Sequence, residues 1–320
     1  MIEEVLLERV APETAGDPMR EQKWVRSSLR SLSQRLSQAG HDASAPTVSR
    51  LLKKQAYSLR VNAKEKEARA QHPDRDTQFR YIESQKQTFI AAGHPIISVD
   101  TKKKELIGNF KNAGQAWCQE ADAVNVHDFL SDALGRGTPY GIFDVQRNEG
   151  AVYVGTSADT PEFAVEAIAR WWHDHGHATY PEATDLLILA DAGGSNGCRP
   201  RLWKAQVQSH LSEALGLSIT VCHYPTGCSK WNPIEHRLFS QISINWAGKP
   251  LRTFETRLGL IRGTTTQTGL KVSAHLLEGL FATGKKVSNA VMKMLNLTRH
   301  AICPQWNYTM RPRLGHTPAP

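Results

Sequence analysis

The sequence has none of the features of a membrane or secreted protein. No apolar run approaches the ~20 residues that a membrane span needs, and residues 1–4 have neither the basic nor the apolar region of a signal peptide. The five cysteines are an odd number without a CxxC pair, which predicts reduced thiols rather than a disulfide framework or a zinc ribbon. We therefore expect a cytoplasmic protein with no membrane partner.

A nucleotide-binding P-loop is also missing. The glycine-rich segment 193–197 lacks the Lys-Ser/Thr pair of that motif, which argues against nucleotide hydrolysis. Its glycines either let a DNA backbone approach Asp191 closely or only form a tight turn. With 320 residues, 40% of them hydrophobic and 22% charged, the composition is ordinary for a globular protein, and the length predicts one large α/β domain with an appendage.

Positive charge is concentrated near the N-terminus. Residues 22–64 contain nine basic residues and one acidic residue, so this segment carries the whole net charge of +8. Such a local excess favours binding to a phosphate backbone with release of counterions. The alternative is a solvated helical surface, since basic faces are common.

Hydrophobic spacing divides this basic segment into two amphipathic helices. We predict them at residues 25–38 and 43–57, joined by a turn at 40–42. The second helix carries basic residues off its apolar stripe, as a recognition helix in a major groove requires: Arg50, Lys53 and Lys54. Residues 1–64 are therefore interpreted as a helix-turn-helix DNA-binding segment, followed by a charged linker and helix at 65–94.

Two apolar runs, each ending in an aspartate, mark the candidate catalytic region. Asp100 and Asp191 follow runs typical of central strands, and open α/β sheets carry functional groups at strand ends. Glu235 lies in the first turn of a helix predicted to begin at Asn232-Pro233, where it either closes a capping box or supplies a third acid. Three converging carboxylates suit phosphoryl transfer with two divalent cations.

The order of predicted elements between and after these acids defines a fold. A hairpin turns at 146–150, a helix covers 161–172, a second helix covers about 200–215, and a strand covers 218–222. This order matches an α/β fold of the ribonuclease-H-like type, a mixed sheet with flanking helices, which we assign to residues 95–320.

Four segments resemble a known family: 100–105, 191–197, 229–239 and 306–309. They resemble the DDE transposases of ISAzo-type bacterial insertion sequences, relatives of the mariner-like group. The resemblance implies a ribonuclease-H-like catalytic core in which Asp100, Asp191 and Glu235 bind Mg²⁺, or Mn²⁺, and act on double-stranded DNA at element ends and target. It also implies a homodimer or higher oligomer on DNA, and a longer helical N-terminus than residues 1–64 provide.

Polar and basic residues near the three acids are further candidates for DNA contact: Lys102, Lys103, Ser195, Asn196 and Lys230. Two alternatives to a transposase stay open, a catalytically silent DNA-binding remnant and a ribonuclease-H-like nuclease without strand transfer. The histidine-rich tract 173–177 is expected to be a surface loop, and incidental metal affinity is the alternative. The polar segment 264–272 predicts either an edge strand or a phosphate contact.

Overall fold

The computed structural model describes residues 2–10, 14–16, 23–25, 27–58, 72–116 and 118–313. The chain divides into two units, Met1–Lys66 and Glu67–Pro320. The segment predicted separately at 65–94 lies almost wholly in the second unit. In the described part of the chain, no helix is both long and apolar enough to cross a membrane.

Within its described residues, the first unit contains three helices and a two-stranded antiparallel pair. Its elements are α1 (Ile2–Val10), β1 (Thr14–Gly16), β2 (Lys23–Val25), α2 (Leu29–Gln38) and α3 (Ala45–Lys54). Ser28 and Ser44 cap α2 and α3 with their side-chain oxygens, and the apolar stripes of α1, α2 and α3 share one core. The two predicted helices are confirmed, although α2 begins later than predicted because Val25 belongs to β2.

The second unit is built on strands and flanking helices. The strands are β3 (Ile96–Thr101), β4 (Glu105–Ile107), β5 (Gly135–Asp144), β6 (Glu149–Gly155), β7 (Asp185–Asp191), β8 (Ser218–Tyr224), β9 (Lys271–Leu277), β10 (Leu297–Arg299) and β11 (Asn307–Met310). The helices are α4 (Arg75–Ala91), α5 (Pro161–Trp171), α6 (His177–Thr179), α7 (Arg201–Gln206), α8 (Ser240–Asn245), α9 (Phe254–Arg262) and α10 (Asn289–Lys293). In the described part of this unit, three π-helical segments extend α5, α7 and α8, at Trp172–Gly176, Val207–Glu213 and Glu235–Phe239.

The main sheet has the strand order β10-β11-β8-β7-β3-β5-β6-β9, with β4 paired to β5. The strands β3, β7 and β8 run parallel, whereas β5 is antiparallel to both β3 and β6. A central parallel trio next to an antiparallel hairpin is the ribonuclease-H-like arrangement, so the predicted fold class is confirmed. The closing strand β11 pairs antiparallel with β8.

Both faces of the central strands are buried, which explains their continuous apolar runs. On one face, α5 and α7 pack with their π-helical extensions against a core that includes Trp203. On the other face, α4 packs against β3, β7 and β8. Thr160 caps α5 as predicted, because its hydroxyl accepts the N–H of Phe163 at 3.3 Å and Pro161 occupies the first helical position.

Two segments that the sequence left uncertain have a defined secondary structure. The tract 173–177 is predicted as a surface loop, and His173, Asp174 and His177 are exposed, but the loop conformation is wrong because Trp172–Gly176 continues α5 as a π-helical turn. The helix continues there because Trp171 and Trp172 both face the core and keep the chain against the sheet. The end of segment 264–272 enters β9, an edge strand paired in parallel with β6.

Candidate active site

The structure brings the two predicted aspartates to the same end of adjacent strands. Val99 of β3 is paired with Ala190 of β7 in a parallel register, so the next residues, Asp100 and Asp191, lie side by side on the two strands. Glu235 is the first residue of the π-helical segment Glu235–Phe239, and its charge acts on both aspartates. Three acids from three elements are therefore within electrostatic reach of one another.

Asn232 connects these elements, and the sequence prediction gave its side chain no such role. Its Nδ2 donates to Oδ1 of Asp191 at 3.1 Å and to the carbonyl of Val99 at 3.3 Å. Its Oδ1 accepts the hydroxyl of Ser98. Asn232 is fully buried, so one amide links β3, β7 and the segment that carries Glu235.

The capping box that competed for Glu235 is not formed. The backbone N–H of Asn232, which Glu235 would accept in that motif, donates to the carbonyl of Ser229 at 2.9 Å. The helix start is capped from the sheet, because the N–H of Ile234 donates to the hydroxyl of Ser98 at 3.0 Å. The carboxylate of Glu235 is thus not used as a cap.

Burial and mutual repulsion make the two aspartates hard to ionise. Burial, followed by the charge of Asp191 and then those of Glu235 and Asp159, raises the pKa of Asp100 to about 8, although the N–H of Thr101 opposes this by donating at 2.7 Å. Burial also raises the pKa of Asp191 to about 6, and the hydrogen bond from Asn232 opposes the rise.

These shifts predict an unusual pH dependence of stability for the metal-free protein. The pKa of Asp100 rises from 3.8 to about 8, so between those values the folded state holds more protons than the unfolded state, and the free energy of unfolding falls as pH rises. We expect Asp100→Asn to flatten this decline and to raise Tm by several degrees at pH 8, since each kcal/mol shifts Tm by roughly 2–4 °C in a domain of this size.

Thermal melts from pH 5 to pH 9 in a chelator check this expectation, with the exposed Glu182→Gln as the matched control. An equal pH slope for Asp100→Asn and the native chain would contradict the assigned burial of this carboxyl group.

A fourth acid borders the site and was missed by sequence reasoning. Asp159 accepts the hydroxyl of Thr101 at 3.2 Å, and Lys104 lies 3.9 Å from its other oxygen. In the sequence, Asp159 stands directly before the capping residue Thr160. This position indicates the start of a helix and does not indicate a residue near the three acids.

The closing motif 306–309, together with His223, supports the strand end that carries Asp191. His223 lies 2.9 Å from the carbonyl of Asp191 through Nδ1 and is fully buried, and burial lowers its pKa to about 4. Asn307 exchanges two amide hydrogen bonds with Gln78, and Gln78 also donates to the carbonyl of His223 at 2.9 Å. These contacts fix the end of β7, where Asp191 lies.

The loop after Asp191 forms a tight turn, the simpler of its two predicted roles. Gly194 has φ of +77°, and a Cβ at Gly197 would lie 2.8 Å from the carbonyl of Ala192. Ser195 and Asn196, which we predicted to contact DNA, are 8% and 0% exposed. Asn196 donates to the carbonyl of Val99 at 3.5 Å, so its side chain is turned inward, and contact of these two residues with DNA stays a prediction.

The predicted basic contacts around the acids are more accessible. Lys103 and Lys230 are exposed, and the ammonium of Lys230 lies 5.3 Å from the ring centre of the exposed Trp231. Lys102 is half-buried over the ring of Trp246 at 4.7 Å, and burial lowers its pKa. These three residues stay candidates for DNA contact.

In the first unit, the basic residues predicted to face DNA lie on the outer side of α3. Arg50, Lys53 and Lys54 are exposed, whereas Val48 and Leu51 on the same helix are buried in the core. Lys54 also forms an ion pair with Glu3 at 2.8 Å.

The chain thus combines a ribonuclease-H-like fold with three neighbouring acids from three elements. Residues 5–312 match the family model described as "Rhodopirellula transposase DDE domain". Because the match extends over nearly the whole chain, the protein belongs to this transposase family, and the predicted resemblance is confirmed.

The solved structures that match this chain include complexes of Mos1 transposase. The "Mos1 transposase paired-end complex with left transposon end" is 11% identical, with a TM-score of 0.41. The Mos1 mariner paired-end complexes with Mn and with Mg are 12% and 11% identical, with TM-scores of 0.40 and 0.42. Each alignment covers 79% of this chain and 67% of the Mos1 chain. No curated protein sequence matches the chain.

Proposed function

We propose that this chain is a DNA transposase in which Asp100, Asp191 and Glu235 carry out metal-dependent strand cleavage and transfer at insertion-sequence ends. The observation that carries the proposal is the meeting of three acids from separate elements, close enough to repel one another, at one end of the central strands. Membership of a transposase family supports it. The unused capping box supports the assignment of Glu235.

Mg²⁺, with Mn²⁺ as the alternative, fits these donors. All three side chains offer carboxylate oxygens, the ligands that hard divalent cations prefer. The raised pKa values of Asp100 and Asp191 reflect the cost of burying these carboxylates and, after it, the repulsion from neighbouring acids, and a bound cation offsets both. When bound, two such ions would stabilise the attacking and leaving oxygens of a phosphodiester.

The residues around the acids prepare them for this role. Asn232 holds Oδ1 of Asp191 in place, and the N–H of Thr101 orients the carboxylate of Asp100. Because its pKa is about 8, Asp100 is mostly protonated at neutral pH without metal and must release that proton when a cation binds. Metal affinity should therefore increase with pH across this range.

We also propose that double-stranded DNA contacts the protein through two basic surfaces. One is the outer side of α3 with Arg50, Lys53 and Lys54, and the other comprises Lys103 and Lys230 beside the acids. The first supplies phosphate contacts and groove recognition, as in a helix-turn-helix protein. Acting on both ends of an element requires two active sites, so we propose a homodimer or higher oligomer on DNA.

Labelled element-end DNA incubated with the protein and Mg²⁺ tests the proposal. We expect strand cleavage followed by joining of the cut end to target DNA, and loss of both products in Asp191→Asn. Nicks without joined products would instead indicate a nuclease without strand transfer. A bound but uncut complex with both Mg²⁺ and Mn²⁺ would overturn the enzymatic assignment and leave a DNA-binding remnant.

A further inference from the structure

A second group of metal-ligating side chains lies outside the proposed active site. Asp174, His175 and His275 each offer one ligand atom, and these three atoms lie within 4.8 Å of one another. Among the residues that the structure describes, this is the one group of three His, Cys, Asp or Glu residues that meets this distance, and Asp100, Asp191 and Glu235 do not meet it. None of the three takes part in the function proposed above.

Two distant elements bring this group together. Asp174 and His175 belong to the π-helical turn Trp172–Gly176, and such turns are often found at functional sites. His275 lies on the edge strand β9, directly opposite Tyr153 of β6. The group therefore joins the end of α5 to the edge of the sheet.

Neighbouring side chains already hold the three ligands in place. The hydroxyl of Tyr153 donates to Oδ2 of Asp174 at 2.7 Å, and its ring stacks on that of His275 with centroids 5.4 Å apart. The hydroxyl of Ser273 lies 3.2 Å from Nε2 of His175. Outer contacts of this kind orient the ligands in protein metal sites.

One ring nitrogen of the group lacks a partner. Nε2 of His275 is buried and has no hydrogen-bond partner among the described residues. A buried polar atom without a partner costs free energy, and coordination of a cation satisfies such a nitrogen. Arg170 and Arg262, which interact electrostatically with Asp174 and His275 respectively, are each paired with a glutamate, which limits their repulsion of a cation.

We propose that Asp174, His175 and His275 form a binding site for a transition-metal ion of the zinc class. Two imidazole nitrogens and one carboxylate oxygen suit Zn²⁺, whereas Mg²⁺ prefers oxygen ligands alone. Zn–N and Zn–O bonds of about 2.0–2.2 Å require the ligands to draw closer on binding. One of the three ligands, His175, also lines a cavity of about 250 Å³ together with Ser273.

A metal ion here would fasten β9 to the end of α5. In the described part of the chain β9 has only one strand neighbour, β6. A bridge between β9 and the π-helical turn therefore stabilises an edge of the sheet, and the free energy of metal binding adds to that of folding.

The full-length protein is first stripped of metal and then saturated with Mg²⁺. Zn²⁺ is titrated into this protein, and its binding is measured by calorimetry and by bound-metal content. We expect one equivalent in the native chain and in Asp191→Asn. His175→Ala and Asp174→Asn should weaken binding by more than the roughly 10- to 100-fold that removal of an outer hydrogen-bond partner costs. His173→Ala and His177→Ala, exposed neighbours in the same tract, are the matched controls and should bind normally.

Two further measurements, thermal melting and the visible spectrum of bound Co²⁺, examine the same site. Zn²⁺ should raise Tm in the native chain and in both control variants but not in Asp174→Asn, and Co²⁺ should give the visible bands of a four-coordinate site. His275→Ala should abolish both responses, and circular dichroism checks its fold. Native-like zinc affinity in His175→Ala and Asp174→Asn, or loss of binding in the control variants, would overturn the proposal.

Discussion

Glu235→Gln is expected to lower DNA strand cleavage by at least about 10³-fold while leaving the fold intact, because several kcal/mol of charge stabilisation would be lost. The substitution keeps the shape of the side chain and removes its negative charge. If Glu235 only capped a helix, the amide would serve equally well. The structure already satisfies the N–H groups of Asn232 and Ile234 through Ser229 and Ser98, so the carboxylate has no structural use there.

Cleavage of labelled end DNA in Mg²⁺, together with a thermal melt, measures this effect. The exposed Glu278→Gln makes the same chemical change away from the three acids and should cleave normally. Near-normal cleavage by Glu235→Gln would remove this residue from the proposed active site and leave only the two aspartates.

Replacing Arg50, Lys53 and Lys54 together by Ala should weaken DNA binding strongly and reduce its dependence on salt. Each phosphate that a basic side chain no longer neutralises lowers the slope of log K against log salt by about 0.9, so removal of three such side chains should lower it by roughly 3. The buried side of α3 is unchanged, so the helix should remain folded. Removal of residues 1–66, the whole first unit, should have a larger effect of the same kind.

Binding measured from low to high salt checks this prediction. The matched control exchanges the charges without removing them, as Arg50→Lys, Lys53→Arg and Lys54→Arg, and should keep the slope. It should still lose sequence preference if Arg50 reads base edges, since Arg and Lys differ in geometry. An unchanged slope in the alanine variant would place the main DNA-binding surface in the second unit.

The positions of the two aspartates could be predicted because they depend on local pattern. A parallel strand buried on both faces produces an unbroken apolar run, and the residue that ends the run marks the strand end. The cap at Thr160-Pro161 is equally local. For these elements, the residues that determine the structure are adjacent in the sequence.

The role of Asn232 could not be predicted, because it depends on contacts between distant segments. Ser98 sits among apolar residues of β3, and nothing in its neighbours indicates that its hydroxyl caps a helix that begins more than a hundred residues later. The burial of Ser195 and Asn196 could not be predicted either. Polar loop residues are usually exposed, and only the folded turn reveals that these two face inward.

The single amide of Asn232 has a consequence for how the acidic centre comes together. Because it bonds to Ser98, Val99 and Asp191 and lies three residues before Glu235, a shift of this segment breaks hydrogen bonds to both strands at once. Partly assembled arrangements, with two acids aligned and the third displaced, would lack several of these hydrogen bonds together, so we expect them to be sparsely populated. We therefore expect the three acids to come together cooperatively.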